Sequence, residues 1–220
     1  MQNAMSPGQF KTMNAVSVAA NDLIDWIADR DGLLIAAWTP QVMAALNWEA
    51  PFAEALAGEL HAAMLTTMLR GGSESNFFDL VTHINIGFGA GVERLLAERF
   101  FRVSLKLARA AARAQRDQQA RAVLPFKYGI VVGDARTDPT HLPLSKVILP
   151  WDHSFWMRWQ PPLGMDCRCA TNNMTHSQMK RSGRTLTTDA ELSLIESQLR
   201  DSWPTEFLML LDFRRREGPL

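Results

Sequence analysis

The sequence predicts a mainly helical α+β protein, with a helical N-terminal region that includes a long basic helix, a small irregular α+β module, and a helical C-terminal tail. Three observations predict it. Apolar residues recur at helical spacing through much of the first 120 positions. The run from Val123 to Val132 is β-branched and aromatic instead, and a stretch rich in Asp, Pro, Thr, Trp and Gly follows it to residue 185. Thr188-Asp-Ala-Glu191 then forms a capping-box pattern that returns the chain to helix.

Taken in order, Val16, Ala20, Leu23 and Ile27 predict one amphipathic helix before Asp31-Gly32. Thr39-Pro40 reads as an N-cap followed by proline at the first helical position. A further helix starts near Pro51, carries Leu56, Leu60, Met64 and Met68 on one face, and stops at Gly71-Gly72. A shorter helix runs from Ser75 to about Ile86, before Gly87, Gly89 and Gly91 interrupt. The long helix follows from about Val92 to Arg121, about 45 Å if continuous. Val123–Val132 supplies one or two strands, and Lys146–Leu149 a short one. The helix opened by Thr188 carries Leu192, Ile195, Leu199 and Trp203, with Pro204 as its breaker, and a short segment ends in Arg214-Arg215-Arg216. The expected divisions are therefore an acidic helical region at 1–91, the basic helix at 92–121, the module at 122–185 and the tail at 186–220.

With 220 residues, 47% hydrophobic and 21% charged, the chain can bury a sizeable core and is not disordered throughout. No apolar run approaches the roughly 18 residues of a membrane span, and the first residues do not read as a secretory signal. Two cysteines make no disulfide scaffold, so synthesis in a reducing cytoplasm is expected. Basic and acidic residues number 23 each, and that zero balance alone argues against a generally basic nucleic-acid coat. Segment by segment the picture differs: residues 1–90 hold three basic and nine acidic residues, whereas 94–121 hold eight basic residues against Glu98 and Asp117.

Within the long helix Arg99, Arg102, Lys106, Arg109, Arg113 and Arg116 alternate spacings of three and four, which keeps six cations on one face. Such a stripe is either a solvated outer face, a contact with double-stranded DNA or an acidic protein surface, or a partner for the acidic first 90 residues.

The densest chemistry lies between Asp134 and Cys169. An extended Cys167-Arg168-Cys169 sends both thiols to one side, so they can chelate a metal ion with His141 and either His153 or Asp152, which would make one structural zinc. Against that stands the reading of two small buried cysteines and a hydrogen-bonded core histidine. A Cys nucleophile with a His base is the catalytic alternative, for which no oxyanion hole is recognisable. Gly87-Phe-Gly-Ala-Gly91 lacks the preceding strand and the Lys-Ser/Thr of a phosphate loop. Trp151, Trp156 and Trp159 can stack bases, but beside prolines they read as local core.

Asp134-x-Arg136-Thr137-x-Pro139-x-His141, then Leu144, Asp152-His153 and Trp156, then Pro161-Pro162-x-Gly164-x-x-Cys167-Arg168-Cys169, resembles the phage Mu F-like minor head protein family, also called head morphogenesis proteins. The resemblance covers roughly residues 100–172. Asp138 stands where an arginine is common, Met165 where tryptophan is common, and Lys146 where glycine is frequent. The resemblance implies a low-copy structural protein of a tailed-phage head, made in the bacterial cytoplasm and placed inside the capsid near the portal. Its expected partners are the portal protein, the major capsid protein and packaged double-stranded DNA, with no membrane. Its expected work is head assembly and genome packaging or delivery, without catalysis. Residues 186–220 are too few for an added enzyme domain. The alternative is a thiol- or metal-dependent enzyme acting on nucleic acid or protein.

Overall fold

The computed structural model describes residues 21–214. It is 64% helical with one three-stranded antiparallel sheet among the described residues, so the mainly helical α+β class holds. Two compact units divide the chain, one ending at Ala112 and the other beginning at Arg113.

In the first unit residues 21–28 are helical, with Ile27 fully buried; Val16 and Ala20 of the expected stripe lie outside the described residues. Helix α1 (Asp31–Leu46) runs straight through Thr39 and Pro40, where the sequence predicts a start. The reason is burial: Leu34, Ala37, Trp38 and Val42 form one continuous apolar face, and Thr39 turns its hydroxyl back to donate to the Ile35 carbonyl at 2.9 Å. Helix α2 (Ala50–Leu69) has Pro51 in its first turn and buries Leu56, Leu60 and Met64 as expected, while Met68 is only half-buried.

Helix α3 (Glu74–Phe88) begins at Ser73, whose backbone N–H donates to Asn76 Oδ1 at 2.8 Å, and ends at Gly89 in the left-handed region (φ 59°). Gly87 lies inside this helix, so Gly89 is the stop. The Asn85 side chain then spans the turn, donating to the Val92 carbonyl at 3.1 Å and accepting from Val92 N–H at 3.0 Å. That pair of bonds sets the entry of the long helix, α4 (Arg94–Gln119), which is continuous. Trp38, Phe77, Phe100 and Phe101 form the aromatic centre of the unit, with Trp38 and Phe100 ring centroids 4.8 Å apart.

The second unit takes the end of α4 and builds on strand β1 (Phe126–Ile130), flanked by β2 (Ile148–Pro150) and β3 (Ala170–Met174), both antiparallel to it. The expected one or two strands within Val123–Val132 are one. Strand β3, Ala-Thr-Asn-Asn-Met, is not legible by propensity because asparagine is depleted in strands. Between β1 and β2 the chain forms a 3-10 segment, Pro139–Lys146. The alternation in β1 places Lys127 and Gly129 inward. Gly129 lies against Leu144, and any Cβ there would overlap the Leu144 carbonyl and side chain.

Lys127 is 1% exposed and is satisfied by Asp117 Oδ2 at 2.9 Å and Gln160 Oε1 at 3.1 Å. The apolar core of the unit comprises Leu144, Val147, Leu149, Phe155, Trp156, Trp159, Leu163, Leu192, Ile195 and Leu199. Trp156 sits in it on the short helix α5 (Phe155–Trp159), as local core rather than as a stacking platform.

A second short helix, α6 (His176–Ser182), follows β3. Helix α7 (Asp189–Gln198) opens with the predicted capping box, Thr188 accepting from Glu191 N–H while Glu191 accepts from Thr188 N–H. It stops at Gln198, six residues before Pro204, because Leu199 turns extended. Trp203 is therefore buried outside the helix, where its Nε1 donates to the Pro162 carbonyl at 2.8 Å. A final 3-10 segment covers Thr205–Arg214, and the remaining two arginines of the terminal triplet lie outside the described residues.

Candidate functional site

The site is built on two segments of the second unit. In the first, Asp134 folds the loop onto itself, accepting from Arg136 N–H at 3.0 Å and from the Thr137 hydroxyl at 3.3 Å. Asp138 then caps the 3-10 segment: its Oδ1 accepts from Thr140 N–H at 2.9 Å and from the Thr140 hydroxyl at 2.8 Å. The resulting turn carries His141 inward, to 3% exposure.

In the second segment the cis Pro161–Pro162 pair and Gly164 are buried, and Cys167 N–H donates to the Gly164 carbonyl at 3.1 Å. Gly164 packs against Ser202, and Ser202 N–H donates to the Leu163 carbonyl at 2.8 Å. The Pro162 carbonyl accepts from Trp203 and from the buried Arg214. This loop is thus tied down by the tail before it delivers Cys167-Arg168-Cys169 into β3.

The two segments meet at three side chains. The ligand atoms of His141, Cys167 and Cys169 all lie within 4.8 Å of one another, and both cysteines are free thiols. Outside the cluster, Arg168 forks onto Asp134, its Nη1 donating to Oδ2 at 2.8 Å and its Nη2 donating to Oδ1. The first residue of the motif therefore grips the residue between its two cysteines.

His153 and Asp152, expected to supply a fourth ligand, are not in the cluster. His153 Nδ1 accepts from Phe155 N–H at 3.2 Å and so caps α5, and Asp152 is exposed in the turn before it. Asp138 comes closer: its free oxygen, Oδ2, is 4.0 Å from His141 Nε2. Sequence reasoning missed Asp138 as a site residue, although its place before Pro139 at the head of a helical turn was a usable signal. Among the other motif residues, Arg136 is exposed, and Trp156 Nε1 donates to the Pro150 carbonyl at 3.2 Å.

The electrostatics follow from this crowding. A hydrogen bond from Cys169, together with one from His141, pulls the Cys167 thiol well below its ordinary range against the opposing effect of burial. Cys169 is pushed up by the same contact with Cys167 and by burial, so the pair holds one proton tightly. Burial opposes charge on His141, but the hydrogen bond and charge of Cys167 and the charge of Asp138 outweigh it, and its pKa rises. Asp134 is held far below the usual carboxylate range, chiefly by Arg168.

The basic stripe runs along α4. Arg99, Arg102, Arg109, Arg113 and Arg116 are exposed and Lys106 is half-buried, which keeps most of the stripe accessible. Arg102 donates to Glu74 at 3.0 Å and approaches Glu98 at 3.5 Å, so at that position pairing with the acidic N-terminal region is realised. Arg113 donates to the Thr171 carbonyl of β3.

Fold and site together define a mainly helical α+β protein whose C-terminal unit carries a His–Cys–Cys cluster locked by an Asp–Arg fork. Over 93 residues, 42% of its length, the chain is 30% identical to "Putative capsid assembly protein F" of Escherichia phage Mu. It spans 21% of that protein's length. No protein-family model and no solved structure matches the chain. Among the described residues no helix is long and apolar enough to cross a membrane.

Proposed function

We propose that this chain is a structural minor head protein of a tailed phage, acting in head assembly. The observation that carries the reading is its similarity to the phage Mu protein named for capsid assembly. The ordered motif of the second unit supports it, because the motif residues serve the fold: Asp134 and Arg168 clamp a loop, and Trp156, Pro161 and Pro162 are core.

In this reading the protein is made in the host cytoplasm and is present in few copies inside the capsid, next to the portal. It contacts the portal protein and the major capsid protein, and its stripe of exposed arginines faces packaged double-stranded DNA during packaging or delivery. It performs no catalysis. A thiol- or metal-dependent enzyme would draw on the same His141–Cys167 pair, but at 3% and 6% exposure both side chains suit a structural role better than attack on a macromolecule.

An amber mutation in the gene of the phage that encodes the chain tests this. Electron microscopy of the lysate is expected to show aberrant or empty heads, restored by supplying the chain in trans. Normal, DNA-filled heads of unchanged infectivity would overturn it.

A further inference from the structure

We infer that Asp138, His141, Cys167 and Cys169 form a structural zinc site that ties the Pro139–Lys146 segment to the Cys-x-Cys segment. The three His and Cys ligand atoms already lie within 4.8 Å of one another. A tetrahedral zinc with bonds of about 2.3 Å to sulfur and about 2.0 Å to nitrogen or oxygen spaces its ligand atoms about 3.3–3.8 Å apart. For these three, closing around the ion needs a contraction of about 1–1.5 Å at most, within reach of side-chain rotation.

The orientation of His141 is what such a site requires. Its ring is 3% exposed and lies against the Cys167 thiol, and Nε2 has no oxygen or nitrogen within hydrogen-bond distance, Asp138 Oδ2 standing 4.0 Å away.

Asp138, beside His141, is the carboxylate to complete the set. Thr140 occupies Oδ1 with two hydrogen bonds, orienting the carboxylate, while Oδ2 stands 4.0 Å from His141 Nε2. Two thiolates with an imidazole and a carboxylate suit zinc and disfavour magnesium or calcium, which take oxygen ligands. All four positions come from the protein, which marks a closed site that holds structure rather than an open catalytic one. Both cysteines bind as thiolates, so uptake is accompanied by proton release. The site stands on this geometry alone, independently of the role in phage heads.

The test uses the full chain, reduced and stripped with chelator, with Zn²⁺ and Co²⁺ as probes. The expected result is one zinc per chain after gel filtration, and a cobalt form with tetrahedral visible bands and thiolate charge-transfer absorption. Cys167 and Cys169 are the two cysteines of the whole sequence, so protection from alkylation reports on this site alone. Zinc is expected to protect both.

Asp138→Asn keeps the acceptor that Thr140 needs and is expected to fold, while its zinc affinity falls at least tenfold. Folded, reduced protein that takes up no zinc, or zinc whose removal leaves the cysteines equally reactive, would overturn the site. Unchanged affinity in Asp138→Asn would overturn the fourth ligand. If His141→Ala fails to fold, the alkylation and Asp138→Asn measurements still decide.

Discussion

Asp134 and Arg168, 34 residues apart in sequence, meet in a two-pronged carboxylate–guanidinium fork. The fork joins the two ends of the motif, and Arg168 is the residue flanked by Cys167 and Cys169. Asp134 also accepts from its own loop at Arg136 and Thr137, so one carboxylate holds both the His141 approach and the Cys-x-Cys run. Geometry rather than Coulomb energy gives this contact its value, since both side chains are partly exposed.

The fork carries a pH dependence. The folded-state pKa of Asp134 is depressed, first by the Arg168 hydrogen bond, so its stabilisation is fully present above the unfolded carboxylate value of about 4. It is lost as pH falls below that value toward the folded pKa. Thermal unfolding followed by circular dichroism between about pH 5 and pH 3 should show a steeper fall for wild type than for Asp134→Asn. Parallel curves would remove the fork from the stability of the module.

Gly129→Ala tests the packing of β1 on the 3-10 segment. The added methyl meets backbone, the Leu144 carbonyl, which cannot swing aside. We expect a loss of about 1–3 kcal/mol or more in urea denaturation. Gly133→Ala is the control for conformation without crowding: Gly133 has φ 72° and open space around it, so about 1–2 kcal/mol is expected there.

Lys127 tests whether the buried ion pair specifies the core. Removing only its ammonium, as in Lys127→Met, leaves Asp117 and Gln160 without their shared donor and should cost about 3–5 kcal/mol. Replacing both charges, as Lys127→Met with Asp117→Leu, should recover much of that loss in a double-mutant cycle.

For the stripe, replacing Arg102, Arg109 and Arg116 with Gln is expected to weaken binding to double-stranded DNA and to flatten its salt dependence. Three lost phosphate contacts would lower the slope of log affinity against log salt by about 2.7. An unchanged slope would make the stripe a solvated face.

Much of the frame was legible because local chemistry decided it. Thr188 and Glu191 cap as their spacing predicts, Gly89 stops α3, and the arginine spacing marks the long helix. The convergence of His141, Cys167 and Cys169 was legible as well. What escaped was set by tertiary burial. Pro40 reads as a helix start but is carried inside α1 by the apolar face around it. Nothing in the strand run around Lys127 marks it as buried; it is held inside because Asp117, ten positions earlier, meets it. Asp138 rather than His153 comes near the cluster, because capping the 3-10 segment at Thr140 leaves its Oδ2 4.0 Å from His141 Nε2.

The proposed place of the chain in phage heads has a direct readout. Quantitative mass spectrometry of purified heads from the phage that encodes it tests this most directly. The chain is expected at a few copies per head, retained with the portal when the shell is dissociated. Its absence from purified, infectious heads would contradict it.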